Sequence, residues 1–478
     1  MKKKLLNNIV YNIIGAIVPI VLVIITVPPY LKAIGSVNFG FLSLIWLLFG
    51  YFGLFDFGLS RATANRLATL KTATPEERST TFFTAAAINL ILGLVIGVIF
   101  YFVASPLLGM ISDSGSSIQA DIDRCVPFMA GLFPLAMVGG VFIGSLEAQE
   151  RFLLINIQQI IGGALMQCLP LLIVLVWAPT LPYAVGGAVI ARVISVVWAG
   201  AYAVSSYHGR PAFDFGVAKS LFKYGIWVAV TNSISPILES IDRFVIGSLL
   251  GATAVTHYSI PFNVAAKASV FPGALSRTLF PRLSSLNSQD SVRLASSANL
   301  ILSSSFAVIC AVAVVLSEPA MNWWLGAETA KPMIIISQII FFGIWINGIA
   351  YIPYALLQAQ GRPDIVAKFH ALELVPFLAV LAAFVYYAGL PGAAMAWTFR
   401  VAIDAILLLS ASKTIDRALP HYILDGMLIG FLLLLTATIG TNIPADAALL
   451  AIYVVLKFLM NSRSGVLSGG VRELLSGL

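Results

Sequence analysis

Long apolar runs separated by short polar stretches set the pattern of this chain. A hydrocarbon core ~30 Å thick requires a helix of about 20 apolar residues. Fourteen segments approach that length, at approximately 9–31, 38–59, 81–104, 125–146, 152–177, 182–206, 222–250, 256–282, 295–317, 332–357, 368–388, 392–411, 421–439 and 445–460. In lipid a helix satisfies its own backbone hydrogen bonds, so each run predicts a spanning helix. The runs at 222–250 and 256–282 are the weakest, because Glu239, Asp242, Arg243, Lys267 and Arg277 interrupt them, and the last two runs are short. The expected fold is an all-α polytopic membrane protein of about 14 transmembrane helices.

Composition agrees, with 59% hydrophobic residues, 10% charged residues and a mean hydropathy of +0.95. The opening Met1-Lys2-Lys3-Lys4 followed by an apolar run resembles a signal peptide, but the run ends in Val27-Pro28-Pro29-Tyr30 rather than a small-residue cleavage site. It is read as an uncleaved first span. Cys125, Cys168 and Cys310 are scattered, as are the four His, and no metal-ligand spacing or disulfide framework emerges. The net charge of +7 has no basic cluster with interleaved aromatics behind it, which argues against nucleic acid. Membrane topology accounts for it instead. With the N-terminus in the cytoplasm, twenty Lys and Arg fall on inside segments and three (Lys32, Arg124, Lys331) on outside loops. An even number of spans then leaves both termini cytoplasmic, and Trp323 and Trp324 sit where an interfacial anchor belongs.

The chain also repeats. Ala148-Gln149-Glu150-Arg151 recurs as Ala359-Gln360-Gly361-Arg362, Ile34-Gly35-Ser36 as Leu250-Gly251-Ala252, and Arg192 as Arg400, at offsets of 211, 216 and 208 residues. One displacement of six spans explains all three. The predicted organisation is an N-terminal six-helix bundle (1–210), a C-terminal six-helix bundle (211–415) related to it by a parallel repeat, and a terminal helix pair with a cytoplasmic tail (416–478).

Several local patterns accompany this architecture: Leu31-Lys32-Ala33-Ile34-Gly35 leading to Phe39-Gly40, Phe55-Asp56-Phe57-Gly58-Leu59, Ala148-Gln149-Glu150-Arg151-Phe152, Ile241-Asp242-Arg243-Phe244 and Leu279-Phe280-Pro281-Arg282-Leu283. With them the chain, over residues 5 to 415, resembles the polysaccharide-unit flippases of the multidrug/oligosaccharidyl-lipid/polysaccharide exporter superfamily. That resemblance implies translocation of an undecaprenyl-diphosphate-linked oligosaccharide from the cytoplasmic to the periplasmic leaflet of a bacterial inner membrane by alternating access. It implies as partners the prenyl-diphosphate-linked glycan, membrane lipid, and a polysaccharide polymerase with other assembly proteins. It also implies a central cleft lined by the first two spans of each half.

A diphosphate headgroup calls for fixed positive charge at depth. Lys267 lies near a span centre with no acidic residue within a turn, as does Arg192, and the resemblance places Lys267 nearer the cleft. Arg243 and Arg277 complete the cationic candidates, and Asn232 the polar ones for the sugar, with Asn12, Thr26, Ser233 and Ser235 as further polar surface. Arg277 and Glu373 lie close enough to the cytoplasmic end to snorkel. Glu239 and Asp242 are the candidates for coupling to H+ or Na+, although with Arg243 they form a strip that neutralises itself in part. Arg400 and Asp404, one turn apart, read as a structural ion pair, with a cleft-facing role left open for Arg192 and Arg400. No cofactor is expected, and short outside loops without a His–carboxylate or paired-acid constellation argue against an enzyme. The rival readings are a cation-coupled drug exporter of the same fold, which would want acid in the first span, and a lipid II flippase, which would want base in the first two spans.

Overall fold

The computed structural model describes residues 2–50, 58–70, 73–111, 116–207, 209, 212–415, 419–439, 446–454 and 457. Within these, the side chains of residues 2–17, 49–50, 116–117, 152, 224, 226–236 and 439 lie outside the described set. The elements are helices: α1 (Lys2–Gly50), α2 (Leu59–Thr69), α3 (Pro75–Gly109), α4 (Ser116–Ala148), α5 (Phe152–Val176), α6 (Leu181–Val204), α7 (Phe215–Ala266), a 3₁₀ turn (Lys267–Ser269), α8 (Val270–Ser285), α9 (Ser288–Leu325), α10 (Ala327–Ala359), α11 (Pro363–Ala411) and α12 (Leu419–Ile439). Nine helices among the described residues are long and apolar enough to cross a membrane. α7 and α8 are not among the nine; α8, at 16 residues, is too short.

The helices are fewer than the predicted spans partly because three long helices are bent back by single glycines. α1, α7 and α11 contain Gly35 (φ 75°), Gly251 (φ 81°) and Gly389 (φ 59°), so α1 and α11 each hold parts of two expected spans and α7 holds the seventh and the start of the eighth. A left-handed φ is open to glycine and costs other residues roughly 1–2 kcal/mol, and the chain reverses at these points without a loop. Span eight is divided differently: it starts in α7, passes the 3₁₀ turn at Lys267 and ends in α8.

The sequence repeat is also a geometric repeat. Gly35 and Gly251 share one conformation, with ψ of 168° and 172°. Glu150 (φ 59°) and Gly361 (φ 72°) occupy equivalent left-handed positions. Arg151 N–H donates to Leu146 C=O at 3.0 Å, and Arg362 N–H donates to Leu357 C=O at 2.9 Å. Each is the long bond of a Schellman cap, which satisfies carbonyls that the helix end would leave orphaned. The same cap closes α11, where Lys413 has φ 58° and Thr414 N–H donates to Leu409 C=O at 3.0 Å.

The chain divides into two compact units, Met1–Thr256 and His257–Leu478. In the first, α3 packs on α4, α4 and α5 on α6, and α1 on α5. Tyr30 OH donates to Gln167 C=O at 2.8 Å, and Gln167 Nε2 donates to Thr26 Oγ1 at 2.6 Å. Beside the two matching glycine bends, Thr256 Oγ1 donates to Ser36 C=O, and the Ala252 carbonyl oxygen lies only 1.9 Å from where a Cβ on Gly40 would sit. A small residue at 40 therefore sets how closely these two backbones approach. In the second unit, α9, α10 and α11 pack in sequence, and α12 docks on α9, where Asn299 Nδ2 donates to Tyr422 OH at 2.9 Å. Lys457, one of the twenty basic residues placed on inside segments, is buried and bonded to Asp425 of α12.

Replacing Gly40 with Val should lower the thermal unfolding temperature of the purified protein in detergent, since overpacking costs about 1–3 kcal/mol. Gly131, whose Cβ position has nothing within 4 Å, provides the control. Equal melting of Gly40→Val and Gly131→Ala would mean that the contact at Gly40 is not a constraint.

Candidate functional site

The charged strip of α7 is knotted onto its own backbone. Asp242 is fully buried and accepts the Arg243 N–H at 2.8 Å, with the Arg243 guanidinium 3.9 Å from the same oxygen. That guanidinium, also buried, donates to the Glu239 carbonyl oxygen at 3.0 Å. A backbone carbonyl one turn back is within reach of a long side chain, so Arg243 is satisfied within its own helix. Glu239 presents an exposed side chain. The side chains of Asn232, Ser233, Ser235 and Asn12, and residue Asp56, lie outside the described residues. Thr26, among the small polar residues that serve either a sugar or helix packing, is buried and takes the packing role: it donates to Leu22 C=O at 2.7 Å while accepting from Gln167.

Lys267 opens the 3₁₀ turn that separates α7 from α8, and its side chain is exposed. No Asp or Glu among the described residues stands within ion-pair distance of it. Short 3₁₀ stretches inside long helices often mark hinges or functional sites. Ten residues on, about 15 Å along a helix, Arg277 is likewise exposed on α8. Its guanidinium lies beside Gly273, whose Cβ position is 3.7 Å from Arg277 Nη1 and 3.5 Å from the Tyr351 ring. Ser276 Oγ donates to Tyr351 C=O at 3.2 Å, which fixes this turn of α8 against α10. Both cations are thus held on a defined backbone with their charges outward. Arg192 on α6 differs: it is half-buried, and its Nε is enclosed without a hydrogen-bond partner.

The richest cluster of charge lies between the two arms of α11. Arg400 Nη1 stands 3.6 Å from Glu373 Oε2, and Asp404 Oδ1 stands 3.6 Å from His370 Nε2. The guanidinium also lies over the Phe377 ring, 5.6 Å from its centroid. The acid facing Arg400 is therefore Glu373, and Asp404 faces His370 as well. Glu373, placed above within snorkelling reach of the cytoplasmic end, is only 6% exposed. The bend at Gly389 explains this, because it folds residue 373 back opposite residue 400, a pairing that spacing along one helix does not reveal. An apolar groove of 170 Å³, lined by Leu372, Pro376, Phe377 and Phe399 among others, leads to Glu373 and Arg400.

Comparison with known proteins identifies the family. The family described as "Polysaccharide biosynthesis protein" matches residues 5–287. The chain belongs to that family. It is 29% identical over 413 residues to a Shigella flexneri protein named "Putative O-antigen transporter", covering 84% of this chain and 96% of that one. It is 26% identical over 220 residues to a "Probable low-salt glycan biosynthesis flippase" of Haloferax volcanii, covering 45% and 46%. Among solved structures it resembles the lipid II flippase MurJ in an inward closed conformation, with a TM-score of 0.75 at 12% identity over 95% of this chain and 99% of that one. It also resembles an inward-facing multidrug resistance transporter described as a MATE family member of the MOP superfamily, with a TM-score of 0.61 at 14% identity over 88% and 95%.

The fold is thus that of these solved transporters, and this family member is a multi-pass membrane protein whose relatives carry the names of transporters and flippases rather than of enzymes. Its charged side chains sort by packing into two kinds. Asp242, Arg243, Glu373 and Asp404 are buried among partners, with the Arg400 side chain only 10% exposed beside them, whereas Lys267, Arg277 and Glu239 are exposed.

Removing one member of a buried pair strands the other, at a cost of about 3–5 kcal/mol. Arg400→Ala should therefore destabilise the protein strongly, and the double reversal Glu373→Arg with Arg400→Glu should recover much of the loss in thermal unfolding. A double variant no more stable than its worse parent would show that the two charges do not act as a pair.

Proposed function

We propose that this family member is a flippase that carries an undecaprenyl-diphosphate-linked oligosaccharide repeat unit from the cytoplasmic to the periplasmic leaflet by alternating access of its two six-helix halves, 1–210 and 211–415. The observation that carries the reading is Lys267, an exposed cation with no carboxylate in pairing distance among the described residues, held in a break near the centre of an otherwise apolar span. A cation there costs a few kcal/mol unless something anionic or wet meets it. A diphosphate is dianionic and accepts several charge-assisted hydrogen bonds, so Lys267, with Arg277 further along α8, suits it. The names of the Shigella and Haloferax relatives, and the solved flippase of the same fold, support a lipid-linked glycan as cargo.

A drug exporter for cations fits less well, because the exposed charges assigned to the site are mainly basic. Glu239, exposed one turn before the buried Asp242–Arg243 pair, remains placed for ion coupling by H+ or Na+. Asn232 and Arg192 are assigned to the sugar and to the path of the diphosphate in the same reading.

In cells lacking their own exporter, Lys267→Glu should cut surface polysaccharide by at least about tenfold, as expected from losing a charged hydrogen bond of roughly 1.5–3 kcal/mol. Lys267→Arg should retain much of it, with both variants inserted at wild-type levels. Full export by Lys267→Glu would remove this residue from the site.

A further inference from the structure

The two arms of α11 run antiparallel from Gly389, in a register that sets residue 373 opposite 400 and residue 370 opposite 404. His370 and Glu373 are three residues apart on one arm, and Arg400 and Asp404 four apart on the other, so each pair shares a helix face. The result is a ladder of two rungs, each spanning 3.6 Å. Its four side chains are 5–13% exposed. Both Glu373 carboxylate oxygens, Arg400 Nε and Asp404 Oδ1 are enclosed without a hydrogen bond.

The charges of this ladder do not close with a neutral histidine. Glu373 and Arg400 balance each other, whereas the Asp404 carboxylate stays uncompensated unless one further proton is held, on the second ring nitrogen of His370 or on one of the two neighbouring acids. An uncompensated buried carboxylate costs several kcal/mol. The site is therefore electrically complete with one proton more than ionised acids, a guanidinium and a neutral imidazole supply.

On the helix packed most closely against α11, the described residues from 332 onward offer no other such charge. α10, which packs on α11, carries no Asp, Glu, Lys, Arg or His from 332 to its end at Ala359, and its tyrosines there are Tyr351 and Tyr354. At the start of α11, Asp364 and Lys368 pair with each other at 2.9 Å in the open, next to an exposed Arg362. A metal ion suits the ladder poorly, since a guanidinium occupies one rung. Among the described residues no cluster of three or more His, Cys, Asp or Glu is arranged to hold one.

We infer that His370, Glu373, Arg400 and Asp404 form a proton-binding site, with His370 and Asp404 as the rung that shares the proton and Glu373 as a second acceptor beside it. The proton enters from water at the Pro363 end of α11, seven residues or about 10 Å from His370, and moves between His370 Nε2 and a carboxylate oxygen. Binding neutralises the ladder and lets the arms close, and release leaves Asp404 uncompensated and favours their separation. This gives the transporter a second place, apart from Glu239 and Asp242, at which a proton gradient acts. The inference rests on the flippase reading only for what the proton drives.

Two measurements on the full-length protein in lipid test it. With four His in the chain, selective ¹⁵N labelling gives few signals, and His370→Gln identifies the one belonging to His370. The site predicts that this signal changes between its neutral and doubly protonated forms as the solution is acidified, and that Asp404→Asn moves the point of that change while the other three His signals stay in place. A ring that keeps one form throughout, or that ignores Asp404→Asn, overturns the site. In vesicles, a pH gradient should stimulate transport of the lipid-linked glycan, and His370→Gln should lower that stimulation by ~5-fold or more. Stimulation unchanged in His370→Gln, or absent in a wild type that transports, overturns the coupling role. A titrating His370 in a protein that moves no glycan lipid would support the site and sink the flippase reading.

Discussion

Charge inside a hydrocarbon slab must be met by a partner, and this requirement organises the molecule more than any single contact. Insertion scales put the cost of Arg, Lys or Asp at a helix centre near 2.5–3.5 kcal/mol. Asp242 and Arg243 answer it by bonding to each other and to the backbone of α7. Glu373, Arg400, Asp404 and His370 answer it across a hairpin, and Asp425 answers it with Lys457. Once these groups are sorted, the charges still facing outward at span depth are few, and the functional reading rests on them.

The hairpins that bring distant charges together depend on glycine. Gly35, Gly251 and Gly389 turn long helices back on themselves at φ values that suit no side chain well, which places two spans side by side without a polar loop between them. At Gly40 the absence of a side chain permits an approach that any Cβ would block. The matching caps at Glu150 and Gly361 show that repeated sequence has become repeated backbone geometry at the helix ends, where hydrogen-bonding needs are strictest.

Much of the fold could be read from the chain because its determinants are local. Apolar runs of membrane length, the glycine at each bend and the Ala-Gln-x-Arg caps are each visible within a few residues. Charge partners were harder to read. Spacing along one helix suggested Arg400 with Asp404, whereas the acid 3.6 Å from Arg400 comes from residue 373 on the opposite arm, and the Arg243 guanidinium reaches the backbone carbonyl of Glu239. The partner of Lys457, Asp425, is 32 residues away. Lys267 stood out in the sequence for lack of a neighbouring acid, and it remains the exposed cation in the helix break. Such pairings are set by register between helices, which hydropathy does not encode.

The central claim is that the exposed cations at span depth recognise an anionic diphosphate lipid and not a cationic cargo. The direct measurement is equilibrium binding to the purified protein in nanodiscs, comparing an undecaprenyl-diphosphate-linked sugar with a cationic dye. The account predicts saturable binding of the diphosphate lipid that weakens by about tenfold in Lys267→Glu, equivalent to ~1.4 kcal/mol, and no specific binding of the dye. Saturable dye binding without binding of the diphosphate lipid would contradict it.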